Sequence, residues 1–184
     1  MPETTNQEVV AKTNAINAAI AKLVTHGQAL GQALEAAGDG DTVTLTGNVT
    51  ANIDTDKLIS LDLKGYTITG DVTITSNAAG TITISAGTID GNLTVNAPNA
   101  TVNNYATVTG TITIIDVSSS SWNENANGNV IVVRDATGIT IRIAAGKTVE
   151  SLELDMFTGD DDSPVINLVL EEGAAITSNV IINK

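Results

Sequence analysis

The chain has 184 residues, 8 Lys and Arg against 21 Asp and Glu, and a net charge of −13. One domain of that length buries roughly 70% of the surface its unfolded chain exposes. Phosphate backbones and anionic membranes both need clustered Lys and Arg, so neither a nucleic-acid nor a membrane partner is expected. There is no Cys, which excludes disulfides, thiolate metal sites and cysteine catalysis.

Hydrophobic residues make up 42% but aromatics only 2%, so the core must be built from Ile, Val, Leu and Ala. With only 16% charged residues, the surface falls to Thr, Asn, Ser and Gly, as suits a rigid extracellular body. Met1 to Asn6 holds no basic stretch followed by an apolar one, so no export signal is expected. The expected location is a virion released by lysis, or the extracellular or cell surface after removal of a signal.

Residues 5–37 read as helix within an N-terminal segment 1–38. Thr5 with Glu8 forms a capping box, and Gly38 follows the last periodic residue, where a left-handed C-cap is wanted. The positions Val9, Thr13, Ile16, Ile20, Leu23, Gly27, Leu30 and Leu34 alternate by four and three, the seam of helices that pack on helices. Gly27 and Gly31 each disfavour the helix interior by about 1 kcal/mol, so a break near His26 is expected. Leu30 and Leu34 are expected to plug the end of the following domain. The stretch before them, with Val9, Ile16, Ile20 and Leu23, is expected to oligomerise the chain, preferably as a trimer, or to dock it on a capsid or surface layer.

From Asp41 the spacing changes to alternation, the period of strands, and stays so through 39–184. Thr67-Ile-Thr-Gly70-Asp-Val72 matches Thr88-Ile-Asp-Gly91-Asn-Leu93 and Thr107-Val-Thr-Gly110-Thr-Ile112. Thr44-Leu-Thr-Gly47-Asn-Val49, Asn125-Ala-Asn-Gly128-Asn-Val130 and Ala175-Ile-Thr-Ser178-Asn-Val180 extend the set. A further copy at Val149 to Leu154 fits with a shift of one residue. Glycines 47, 70, 91, 110 and 128 lie 23, 21, 19 and 18 residues apart, about the length of one solenoid coil. Each glycine is expected at a corner, supplying positive φ, and Ser178 takes that place in the last copy. About three strands per coil and about seven coils follow. An antiparallel sandwich also has short, even strands, but does not require the same neighbours around each glycine.

The phrase Ala33-Leu-Glu-Ala-Ala-Gly-Asp-Gly-Asp-Thr-Val-Thr-Leu45, followed by Leu61-Asp-Leu-Lys-Gly-Tyr-Thr-Ile-Thr-Gly70, resembles the opening of right-handed parallel β-helix domains of the pectate-lyase-like type. The likeness covers residues 28 to about 115. It implies an all-β, right-handed β-helix capped by a helix. Such domains occur in polysaccharide lyases, phage spikes and fibres, and non-catalytic surface modules, so fold and function are separate questions.

Chemistry is sparse. The resemblance to lyases implies calcium held by acids beside a basic residue, yet Lys57, Lys64, Arg134, Arg142 and Lys147 stand in no such motif; Arg134 and Arg142 are expected to pair with acids on neighbouring coils. Asp160, Asp161 and Asp162 form the densest run of oxygen ligands and the best Ca²⁺ candidate, though without the spacing of a calcium loop; otherwise no cofactor is expected. Asp54, Asp56, Asp90, Asp116 and Asp155 are the carboxylates from which a glycosidase pair, about 5–9 Å apart, would be drawn. Trp122, in the polar run Ser118 to Asn127, either folds back over the rod or contacts a glycan or partner. The expectation is a non-catalytic structural or adhesive protein, foremost a phage head decoration, fibre or small spike. A carbohydrate-binding bacterial surface module and a polysaccharide lyase or hydrolase are the alternatives.

Overall fold

A computed structural model describes residues 3–119, 122–134, 138–155 and 166–183, apart from the side chains of residues 3–5 and 22–24. Helix α1 (Glu3–Ala36) is followed only by strands. The first turn places β1 (Thr42–Thr44), β2 (Val49–Thr50) and β3 (Ile53–Thr55) on three successive sides. The same three sides recur with β4 (Ser60–Asp62), β5 (Thr67–Thr69) and β6 (Val72–Thr75), and again with β7 (Gly80–Ile84), β8 (Thr88–Asp90) and β9 (Leu93–Ala97). A fourth three-sided turn holds β10 (Ala100–Asn104), β11 (Thr107–Val108) and β12 (Thr111–Val117). Beyond it the turns have two strands each: β13 (Trp122–Glu124) with β14 (Asn129–Arg134), β15 (Thr140–Ile143) with β16 (Thr148–Asp155), and β17 (Asn167–Leu170) with β18 (Ala175–Asn183).

Like strands stack into sheets of seven, four and seven, here called the first, second and third. Every pairing is parallel. The chain is therefore an all-parallel β-solenoid. The first and third sheets are seven strands tall, but strands occupy all three sides only in the first four levels, and the complete turns number about five rather than the expected seven.

Alternation explains the interior. In β6, Val72 and Ile74 are buried while Thr73 and Thr75 face outward. Stacking then turns each inward position into a file: Ile53, Val72, Leu93, Ile112, Ile131, Leu152 and Val180 succeed one another up the third sheet. Each buried Val, Leu or Ile contributes about 1.5–3 kcal/mol. The outward files are mostly Thr, Asn and Ser with some charged residues and Val, so both faces of a parallel sheet need not be covered by helices.

The corner glycines behave differently from expectation. Gly110 N–H donates to Gly91 O at 2.9 Å, and a Cβ on Gly91 would meet Gly70 O at 2.3 Å. Gly70, Gly91 and Gly110 thus form one vertical file. Of these three only Gly70 has positive φ, at 147°; the file requires glycine because the backbones approach too closely for a Cβ. The other three assigned corners are displaced from that file, although Gly128, between β13 and β14, has the expected positive φ, at 76°. Val49 pairs Ile68, so Ala51 rather than Gly47 stands below Gly70. Thr111 pairs Val130, which sets Asn129 rather than Gly128 above Gly110. Ser178 lies within β18 beside a register shift, not at a corner between strands. The one-residue shift expected near Val149 is present as a β-bulge between β14 and β16.

Candidate functional site

Helix α1 starts at Glu3, ahead of the expected cap Thr5, and runs unbroken through His26 and Gly27 to Ala36. Its second half is docked on the first turn. Leu30 is buried, Ala33 and Leu34 pack against the core, and the Gly27 position faces Val49. The expected break is absent because His26 is itself seated: its Nδ1 shares a hydrogen bond with Thr46 Oγ1 at 2.9 Å. Its ring lies over Gly47, where a Cβ would come within 2.6 Å of Nε2. Gly38 is not a left-handed cap, since its φ is not positive. Instead Lys57 Nζ donates to Leu34 O at 3.0 Å and Glu35 O at 2.9 Å, and a cation at the carbonyl end suits the helix dipole.

The first half of α1 is free. Residues 6–21 are exposed throughout, and Val9, Ile16 and Ile20 stand 60%, 59% and 51% exposed. The side chain of Leu23 lies outside the described residues. The heptad stripe is divided accordingly: Leu30 and Leu34 pack against the first turn, while Val9, Ile16 and Ile20 are exposed among the described residues.

Trp122 is corrected from the expected polar loop to the core. It is fully buried on β13, in the file between Val102 and Ile141, so it presents no surface to a glycan. Its Nε1 donates to Glu124 Oε2 at 3.1 Å. Glu124 occupies an inward position between Asn104 and Ile143 and is also completely buried. Asn104 Nδ2, Ala126 N and Asn129 Nδ2 donate to it as well. Burial pushes the Glu124 carboxyl above its usual range, and these donors oppose the shift. This polar plug was missed from sequence. Its one signal was Trp122-Asn-Glu124 placing a carboxylate at an alternate position where its neighbours are apolar.

The remaining candidates are dispersed. Arg134 pairs with Asp155 at 3.5 Å and Arg142 with Glu171 at 3.1 Å, each on the next turn as expected. Asp62 is held below the usual carboxylate range by the Ser85 hydroxyl and, secondarily, by Lys64. Of the five glycosidase candidates, Asp54, Asp116 and Asp155 lie on strands of the third sheet and Asp90 on the second, where it accepts from Thr109 Oγ1 at 2.9 Å. Asp54 and Asp56 are two residues apart in the chain, while Asp116 and Asp155 lie two strand spacings, about 10 Å, apart, with Arg134 on the strand between them. Burial raises the Asp116 carboxyl. Asp160, Asp161 and Asp162 lie outside the described residues. Among the described residues no three His, Asp or Glu side chains gather as a metal group, and no helix is long and apolar enough to cross a membrane.

No family model matches the chain, and no curated protein or solved structure is significantly similar to it. The class is set by the structure: a parallel β-solenoid with a docked, protruding helix. The pectate-lyase-like likeness of residues 28 to 115 stays a likeness of motif.

Proposed function

We propose that the protein is a non-catalytic structural or adhesive component, foremost of a virion surface such as a head decoration, fibre or small spike, and that it assembles as a trimer through its helical arm. One observation carries this reading: Val9, Ile16 and Ile20 form an unpartnered apolar seam on a helix whose other half is anchored to a rigid rod. The arm is also neutral within a chain of net charge −13, since Glu3 and Glu8 balance Lys12 and Lys22. Repulsion between copies is thus weakest there. Light scattering is expected to give a stoichiometry divisible by three, lost in a Val9→Lys, Ile16→Lys, Ile20→Lys variant. A mass of 18.8 kDa at every concentration, or an arm variant with unchanged stoichiometry, would overturn the reading.

A second reading, a bacterial surface module that binds carbohydrate, is favoured by Tyr66 and Tyr105. They are 38% and 46% exposed on the corner between the first and second sheets, two turns or about 10 Å apart. Two ring faces so spaced suit stacking on successive sugars of a chain. Binding to a panel of soluble polysaccharides, abolished by Tyr66→Ala with Tyr105→Ala, would favour this reading; identical binding by the variant would remove it.

A further inference from the structure

The two ends of the solenoid are finished differently. The first turn is covered by the docked half of α1, with Leu30 buried against it. At the opposite end the last turn keeps interior side chains in the open. Leu168 and Leu170 stack on Ile141 and Ile143, and Val180 and Ile182 stack on Leu152 and Leu154. The lower members Ile141, Ile143 and Leu152 are at most 2% exposed, whereas Leu168, Leu170, Val180 and Ile182 are 40%, 47%, 52% and 65% exposed. These four therefore occupy core positions with no described strand above them.

The backbone is open in the same place. Strand β18 is nine residues long and pairs on one side only, with β16. An edge of that length without Pro or charge is a template for further strand pairing. Neither β17 nor β18 contains a charged residue, although the chain carries −13. Glu171, in the turn between them, is engaged by Arg142 at 3.1 Å.

We propose that this end is a docking surface for a second copy of the chain, tail to tail. Shape selects the partner. The open face has the cross-section of one two-stranded turn, with apolar side chains converging from two sheets and a free strand edge on each. A surface that continues both edges and the interior at once is another solenoid end. The helix-covered end of a second copy is closed by its own α1, which leaves the same terminal face. A two-fold axis across the strands sets β18 antiparallel to its copy and β17 likewise, and brings Leu168, Leu170, Val180 and Ile182 onto their own equivalents. Such an interface is self-complementary, as two-fold contacts must be, and the two strands themselves bring no charge to it, the exposed Glu172 lying in the turn between them. With the arm at the other end, the rod has two assembly contacts facing opposite ways.

The test separates this contact from that of the arm. In the Val9→Lys, Ile16→Lys, Ile20→Lys background the full chain is expected to sediment at twice 18.8 kDa and to halve in mass when Val180→Lys and Ile182→Lys are added. An arm variant that is monomeric at all concentrations, or a dimer indifferent to the two added lysines, would overturn the proposal while leaving the arm reading to its own test. Should the lysine variant lose the emission of buried Trp122, hydrogen exchange on the unaltered chain decides. Amides of residues 175–183 are expected to gain protection as concentration rises, and equal exchange at low and high concentration would refute tail-to-tail docking.

Discussion

The side chain of Asn129 accepts a hydrogen bond from the backbone N–H of Val108 at 2.8 Å. Its amide nitrogen also donates to Ala106 O at 3.0 Å. One carboxamide thus completes the edge of β11, where the second sheet ends, much as a further strand would. All three residues are buried, so without Asn129 the Val108 amide would lack a partner, while Ala106 O would keep Asn104 Nδ2 at 3.1 Å. Replacing Asn129 with Ala is expected to lower unfolding free energy by about 1–3 kcal/mol, the cost of one orphaned buried group. Denaturant titration measures this, and a loss below about 0.5 kcal/mol would show that the edge does not depend on Asn129.

Acid should distinguish Glu124 from its neutral counterpart. Its carboxyl is raised by burial, so the folded chain holds the proton more tightly than the unfolded chain. Stability from this group is therefore gained as pH falls through the raised folded value, is complete below the ordinary glutamate value, and is lost again as pH rises. A Glu124→Gln variant has no such dependence, and the other carboxylates, including the depressed Asp62, cancel in the comparison. The stability of the parent relative to Glu124→Gln is expected to improve between pH 7 and pH 4. A difference that stays flat, or grows in the other direction, contradicts the assignment.

Two glycines test two different reasons for glycine. At Gly91 a Cβ would meet Gly70 O at 2.3 Å, and backbone above and below cannot yield without opening the stack. At Gly128 there is open space but φ is +76°. Gly128→Ala is expected to destabilise by about 1–2 kcal/mol, the left-handed penalty, and Gly91→Ala by more than that. Equal losses in thermal or chemical unfolding would mean that stacking distance is not what selects Gly91.

The two halves of α1 should separate in the same assay. Leu30 is 5% exposed and packed on the core, so Leu30→Ala is expected to cost about 2–5 kcal/mol in unfolding. Ile16 is 59% exposed, and Ile16→Ala at a concentration where the chain is monomeric is expected to change stability by less than about 0.5 kcal/mol. A large loss at Ile16 in the monomer would mean that the arm folds back onto the rod.

Much of the architecture was readable in local order. Alternation such as Thr67-Ile-Thr and the recurrence of Gly70, Gly91 and Gly110 specified strands and a stacked corner, because the solenoid is a periodic object and its period is written in the chain. The same reading misaligned Gly47, Gly128 and Ser178. Similar neighbours recur there, yet register is set by which backbone lies beneath: Ala51 rather than Gly47 lies under Gly70, and Asn129 rather than Gly128 over Gly110. The apolar seam of α1 was legible as a face. How far its docked part reaches, with Leu30 5% and Ile20 51% exposed, depends on where the first turn ends in space.

What the amino-acid order determined by itself was the kind of object: strands after a helix, an aliphatic interior, a hydroxyl and amide surface, and a repeat near one coil in length. These are properties of single residues and short spacings. Only the tertiary structure decided that Trp122 lies inside, that Glu124 is buried among donors, and that Leu168, Leu170, Val180 and Ile182 stand at an uncovered end. Burial is a relation between residues that stacking brings together from about twenty positions apart, and no local pattern holds that information.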